Sequence, residues 1–233
     1  MSDDVNLADA TWPDVDTPTV VVPVGSLEQH GPHLPLDTDT CIAAAVSRGL
    51  VEGGGRALMV APPIAYGASG EHEGFAGTIS IGHDVLERVL VEYGRSACRW
   101  ARRIVFVNGH GGNGPALVKS VSLLRYEGRD AAWLPCVFPG ADAHAGRTET
   151  SLLLHLSPGR MRPERAERGN VAPIAELMPS LREGGTLAVS ANGVLGDPAG
   201  SSAEEGLALL EGAVRRAGDA LARWKPDPDG RLR

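Results

Sequence analysis

The sequence predicts an α/β fold: a mostly parallel central sheet with helices on both faces, layered as a sandwich. Three observations carry that prediction. Short β-rich runs alternate with helical patterns along the chain. The strand runs are continuously apolar, as strands covered on both sides must be. The polar clusters fall just after the strands, where an open parallel sheet binds its ligands.

Taken in order, Thr19 to Ser26 (TVVVPVGS) is an apolar run ending in a Gly-Ser turn, and Thr38 to about Leu50 then reads as a helix. Ala57 to Ile64 is a second strand, stopped by the Pro62-Pro63 pair. Asp84 to Ala101 is helical, with Val85, Val89, Tyr93 and Ala97 at four-residue spacing as its apolar stripe. Arg103 to His110 is the clearest strand, and Asn113 to Tyr126 the helix after it. Ala131 to Phe138 is a fourth strand, followed by a helix through Leu156. The last helix opens on Ser201-x-x-Glu204, which has the form of a capping box. Residues 65–83 and 157–200 are rich in Gly and Pro and read as long functional loops. The expected organisation is one domain over residues 1–233, with a core of about 17–225 and flexible tails at 1–16 and 226–233.

Composition narrows the function. The 233 residues carry 22 basic and 29 acidic side chains, a net charge of −7 that argues against nucleic acid as a partner. No apolar run approaches the roughly 20 residues that span a bilayer, and the acidic start lacks the pattern of a secretory signal. A cytoplasmic enzyme with no membrane partner is expected. Cys41, Cys98 and Cys136 show no CxxC spacing and read as buried, reduced thiols. There is no GxSxG elbow and no GxxxxGK phosphate loop, and Gly53-Gly54-Gly55 follows a helix as a simple connection.

The chemistry collects at the strand ends. Glu28, His30, His33 and Asp39 follow the first strand, His110 and Asn113 the third, and His144 and Glu149 the fourth. A lone His at a strand end is ordinarily a satisfied polar residue. Glu28 with His30, joined by His110 and Asp39 at matching topological positions, favours a divalent metal instead. His33 reads as a metal ligand or as a residue that orients one. His72, in a long loop, is placed on the substrate, whereas His83 and His155 read as helix residues without a catalytic part. Asn113 and the backbone N–H groups of Gly111 and Gly112 are expected to hold an oxyanion or a peptide terminus.

The strings Val24-Gly-Ser-Leu-Glu-Gln-His-Gly-Pro-His-Leu-Pro-Leu-Asp-Thr-Asp39, Glu71-His72-x-x-Phe75-x-Gly77-Thr78, Asn108-Gly-His-Gly-Gly-Asn113, His144-Ala-Gly-x-x-Glu149 and Gly193-Val-x-Gly-Asp-Pro198 resemble the creatininase family of metal-dependent amidohydrolases. The resemblance implies two divalent ions (zinc, iron or manganese), with Glu28 and His110 on one, His30 on the other and Asp39 between them. Creatininase proper has a Glu two residues after the His corresponding to His110; this chain has Gly112, and Glu149 stands as the replacement ligand, with His144 as proton shuttle. Within the family, the strings most resemble a branch of peptidases that release a modified, Val-Tyr-derived C-terminal dipeptide from a ribosomally made peptide. The alternative is a small-amide hydrolase acting on creatinine or a formamide. The same resemblance implies a homo-oligomer.

Overall fold

The computed structural model of the chain describes residues 6–52 and 57–233, which leaves the Gly53-Gly54-Gly55 connection outside the described residues. Four strands, β1 (Thr19–Val24), β2 (Leu58–Val60), β3 (Arg103–Asn108) and β4 (Ala131–Pro135), form an all-parallel sheet in the order β2-β1-β3-β4. Val21 lies opposite Val60 on one side and Val105 on the other. Six α-helices surround it among the described residues: α1 (Thr38–Glu52), α2 (Gly82–Ala97), α3 (Gly114–Tyr126), α4 (Arg147–Leu156), α5 (Ile174–Gly184) and α6 (Ala203–Arg223).

The period-two alternation of strand side chains divides the core. Val20, Val22, Val24, Ile104 and Phe106 pack against Leu86 and Leu90 of α2 and Leu117 and Leu124 of α3. Val21, Val105 and Val107 face the other way, onto Val46 and Leu50 of α1 and Ala213, Ala217 and Leu221 of α6. A third cluster, with Ile42, Leu152, Leu153 and Val194, anchors α4 beside α1. Each fully buried Leu or Phe of these layers contributes about 1.5–3 kcal/mol through burial alone.

Several sequence expectations change. The buried stripe of α2 is Leu86, Leu90, Gly94 and Ala97, whereas Val85 and Val89 are 52% and 40% exposed; the face turned to the sheet starts one position later than the expected set, because Leu86 and Leu90 are the side chains that pack on the strands. The cap of α6 is Ser202, whose hydroxyl accepts from the Glu205 N–H, one residue later than the expected box. Residues 157–200 are not all loop, because α5 forms there around an internal Pro179 and buries no residue fully. The C-terminal tail does not fray. Leu232 is 2% exposed and donates its N–H to the Trp133 carbonyl, so residues 230–232 run beside β4. At the opposite edge the Leu7 N–H donates to the Val60 carbonyl, which docks part of the expected N-terminal tail along β2. Among the described residues no helix is long and apolar enough to cross a membrane, and the three cysteines are half-buried free thiols rather than fully buried ones.

The strand order also places the site. From β1 the chain crosses to β2 on one side, then returns to β3 on the other. The carboxyl ends of β1 and β3 therefore border the point where strand order reverses, which opens a crevice between diverging loops. The docked tail gives the first prediction: Leu232→Ala should lower unfolding free energy by about 2–4 kcal/mol, read from the urea midpoint. A change within error would show that the tail adds nothing to the core.

Candidate active site

Five segments meet in that crevice. The loop after β1 supplies Glu28, Gln29 and His30, the first turn of α1 supplies Asp39, and the loop after β3 supplies His110. His144 precedes α4 and Glu149 lies in its first turn, while a short 3-10 turn at Gly70–His72 brings Glu71 and His72. Close approach of β3 to α1 depends on Gly109, where a Cβ would sit 2.3 Å from the Asp39 carbonyl oxygen. Ala145, buried between His144 and α4, has φ of +52°, a conformation costly for a residue with a Cβ. Its N–H donates to Glu149 Oε2 at 2.6 Å, so the strained turn aims Glu149.

Asp39 turns one oxygen to each side. Oδ1 lies 3.2 Å from His30 Nε2 and Oδ2 lies 3.2 Å from His110 Nδ1. His110 Nδ1 is also 3.2 Å from Glu28 Oε2, and His30 Nε2 is 3.9 Å from Glu149 Oε2. The outward nitrogens are spoken for: His30 Nδ1 donates to the Glu28 carbonyl at 3.1 Å, and His110 Nε2 to the Ala68 carbonyl at 3.2 Å. His30 Nε2 and His110 Nδ1 are thereby the atoms presented to a ligand. Glu28 is wholly buried, and although imidazoles stand near it, neither of its oxygens accepts a hydrogen bond. A buried carboxylate without such partners is held only by positive charge. Three overlapping donor sets, each with its ligand atoms within 4.8 Å of one another, could hold a metal ion: Glu28-Asp39-His110, His30-His144-Glu149 and Glu28-His72-His144.

The protonation pattern follows the same logic. Burial works against the His30 cation, but Asp39 beside it raises the pKa to about 10. Burial likewise opposes charge on His110, and Glu28 and Asp39 overcome it, holding its pKa well above the ordinary value. Burial also opposes ionisation of Asp39, yet His30 and His110 keep it well below the usual carboxylate range. Burial, with Asp39 and Glu28 nearby, lifts Glu149 to about 7 despite His30. Burial lowers both His144 and His72, and the neighbouring imidazoles push the same way, which keeps the two rings neutral. His144 lies between His30 and His72, its ring centre 4.4 Å from each.

The crevice opens into a cavity of about 970 Å³, with Ile174, Met178 and Leu181 of α5 along one wall. Glu28, Asp39, His72, His110, His144 and Glu149 all line it, and His30 stands behind them against Asp39. Asn113 does not line it. Its Oδ1 accepts from the Ala68 N–H and its Nδ2 donates to the Gly25 carbonyl and Asn108 Oδ1, so its capacity is spent tying three loops together and none remains for substrate. His33 binds the Thr150 hydroxyl at 2.9 Å, bracing the β1 loop against α4 next to Glu149. His83, at the start of α2, reaches the rim and donates to the Gly112 carbonyl at 2.9 Å. Sequence reasoning missed Glu71. A Cβ at Gly112 would meet Glu71 Oε1 at 2.7 Å, and that oxygen lies 3.4 Å from His110 Nε2. The space beside Gly112 is thus occupied by a carboxylate from another segment, and the only sequence signal for it was its place next to His72.

Imidazoles and carboxylates gathered about an unpartnered buried glutamate, at the switch point of a parallel sheet, define a metal-dependent hydrolase of the α/β class. The family model for creatininase, described as creatinine amidohydrolase, matches residues 8–221, and the chain belongs to the creatininase family. It is a hydrolase of amide bonds. Among its relatives, a mycofactocin precursor peptide peptidase of Mycolicibacterium smegmatis is 61% identical over 219 residues, covering 92% of this chain and 89% of the relative. The creatinine amidohydrolase of Pseudomonas putida is 29% identical, over 97% of this chain and 99% of its own. A crystal structure of creatinine amidohydrolase superposes with a TM-score of 0.82 at 27% identity, covering 97% of this chain and all of the other.

The charge pattern gives a pH prediction for the metal-free protein. The stabilising proton on His30 is fully held below its ordinary 6.5 and is lost as pH rises through about 10. Glu149 acts in the same direction, its contribution complete below 4.5 and lost as pH rises through about 7. The Tm of chelated protein should therefore fall between about pH 6 and 9, while the Tm gain on adding zinc grows, since the ion replaces these protons. Scanning calorimetry with chelator and with zinc measures both, and a gain independent of pH would count against this linkage.

Proposed function

We propose that the chain is a peptidase of mycofactocin maturation, which releases the modified, Val-Tyr-derived C-terminal dipeptide from its precursor peptide. The observation that carries this reading is the 61% identity, over nearly the whole chain, to a relative named for that substrate. The roomy cavity, with Ile174, Met178 and Leu181 beside Arg182 and Glu183 on its α5 wall, suits a peptide end better than a compact lactam.

The donor set fits two divalent ions. Glu28 and His110 would hold one, His30 and Glu149 the other, with Asp39 shared; the unpartnered Glu28 carboxylate is the feature that requires positive charge. Solved relatives include a manganese creatininase and a zinc-zinc mutant form, and iron suits the same donors. Such ions, when bound, activate water near neutral pH and polarise the amide carbonyl. Glu149, which lines the cavity with Oε2 3.9 Å from His30 Nε2, would take a proton during attack. His144, kept neutral by burial, is placed to carry that proton to the departing amine. The backbone at Gly111 and Gly112 lines the cavity beside His110, where N–H groups would steady a developing oxyanion. His72 lines the substrate side. We infer a cytoplasmic homo-oligomer, a reading that the exposed Trp12, Val85 and Tyr126 support as contacts between copies.

Chelation should abolish cleavage, and a first-row divalent ion should restore it. Glu28→Ala and His110→Ala should lose metal and activity together. His144→Ala should keep its metal while kcat falls by roughly 10²–10⁴. Metal analysis beside product mass spectrometry separates these outcomes, and full turnover by metal-free enzyme would overturn the mechanism. The substrate is tested separately. An unmodified precursor end carries a free carboxylate that the modified end lacks, and a pocket matched to one of the two discriminates more strongly than the roughly 1–3 kcal/mol of one methylene when the other leaves a polar group unpaired. The modified precursor should therefore show the higher kcat/KM. Equal values would sink the substrate assignment, and rapid hydrolysis of creatinine with neither peptide cut would reassign the enzyme to small amides.

A further inference from the structure

Gln29 lies between the His72 and His144 imidazoles, yet it offers no ligand atom to a metal. It is buried, and every polar atom of its amide is engaged. Its Oε1 accepts the Gly31 N–H at 2.8 Å, and its Nε2 lies 3.1 Å from the Gly193 carbonyl. A backbone N–H can only donate and a carbonyl can only accept, so these two contacts leave one orientation for the amide. Its seat is built to fit: Gly193 has φ of +77°, and a Cβ there would lie 2.0 Å from Gln29 Oε1.

The second hydrogen of Nε2 points to His72 Nδ1, 2.8 Å away. That nitrogen must accept, so in a neutral ring the proton sits on Nε2, which faces Glu28 Oε1 at 3.4 Å. The Thr186 hydroxyl, 3.4 Å from the same Nδ1, can donate or accept and does not decide the matter. For His144 the backbone of the same residue decides. The Gln29 carbonyl lies 2.8 Å from His144 Nε2 and requires a donor, so His144 carries its proton there and leaves Nδ1 as an acceptor, 3.9 Å from Glu28 Oε1. The Gln29 amide nitrogen also lies 3.0 Å from His144 Nε2, but both of its hydrogens are committed elsewhere, so that approach is a contact and not a bond.

We propose that Gln29 is a positioning residue that holds two adjacent imidazoles in one tautomer but turns them oppositely toward Glu28: His72 with its Nε2–H facing the carboxylate, and His144 with Nδ1 as an acceptor. His72 then steadies the carboxylate and is no metal ligand through Nε2, although its ring stands within ligand distance. His144 faces the cavity with a lone pair ready for a proton, the role that the hydrolase reading above assigns to it; the catalytic consequence rests on that reading and the tautomers do not.

The test is ¹⁵N NMR of the imidazole rings in zinc-loaded, full-length protein, assigned with His72→Gln and His144→Gln. The expected pattern is pyrrole-type nitrogen at Nε2 of both rings and pyridine-type nitrogen at Nδ1 of both. A proton on His72 Nδ1 in the wild type would overturn the proposal without any variant having to fold. Gln29→Glu replaces the donor with an acceptor. It should move the His72 proton to Nδ1, leave His144 unchanged, keep the bound metal, and lower kcat about 10–100-fold with little change in KM, less than the outright loss of an acid–base group. Unaltered His72 resonances in that variant would also overturn it. Tautomers as stated, with no cleavage of any peptide, would leave this inference standing and remove the peptidase reading alone.

Discussion

The organisation of this protein depends on one unfavourable arrangement, the Glu28 carboxylate buried without a hydrogen-bond donor. Such a group would unfold its surroundings or take up a proton if it stood alone. Here three further carboxylates and four imidazoles gather in the same crevice, and the imidazoles facing Asp39 hold protons far above their ordinary range. Those protons occupy, in the metal-free chain, the positive charge that the site is built to receive. Stability and metal affinity are therefore two readings of one electrostatic balance.

The scaffold makes that concentration of charge possible. Both faces of a short parallel sheet are sealed by helices, so the strands can be apolar throughout and the polar residues are confined to their ends. Reversal of strand order between β1 and β3 opens the crevice, and the close approach at Gly109 brings Asp39 within reach of His110. Backbone strain at Ala145 belongs to the same construction, since the turn it forms directs an N–H onto Glu149. Precision at the site thus comes from rigid elements below it, while the wall contributed by α5, which buries no residue fully, is free to suit the substrate.

Asymmetry within the site has a more local origin. His30, His144 and His72 follow one another as tilted neighbouring rings, and burial alone would treat them alike. What distinguishes them is the partner on the side away from the cavity: a carbonyl for His30, an amide N–H for His72 and another carbonyl for His144. A ring nitrogen is assigned its role by the hydrogen bond its sibling makes.

Much of this was legible in the sequence. Continuous apolar runs announced β1 and β3, and the polar residues immediately after them could be assigned to one face of the sheet. Glu28, His30, Asp39 and His110 were accessible to reasoning because each lies within a few residues of a strand or helix end whose position is set by local pattern. The tertiary structure decided whatever rests on partners far along the chain. Asn113 turned inward because Gly25 and Ala68 claim its amide. Glu71 fills the space that Gly112 leaves, the tail docks because β4 offers it an open edge, and Gln29 acquires its orientation from Gly193. Periodicity and spacing record which face of an element is apolar and where it ends. They carry no record of which hydrogen bonds a buried side chain completes, because that depends on segments brought together only when the chain has folded.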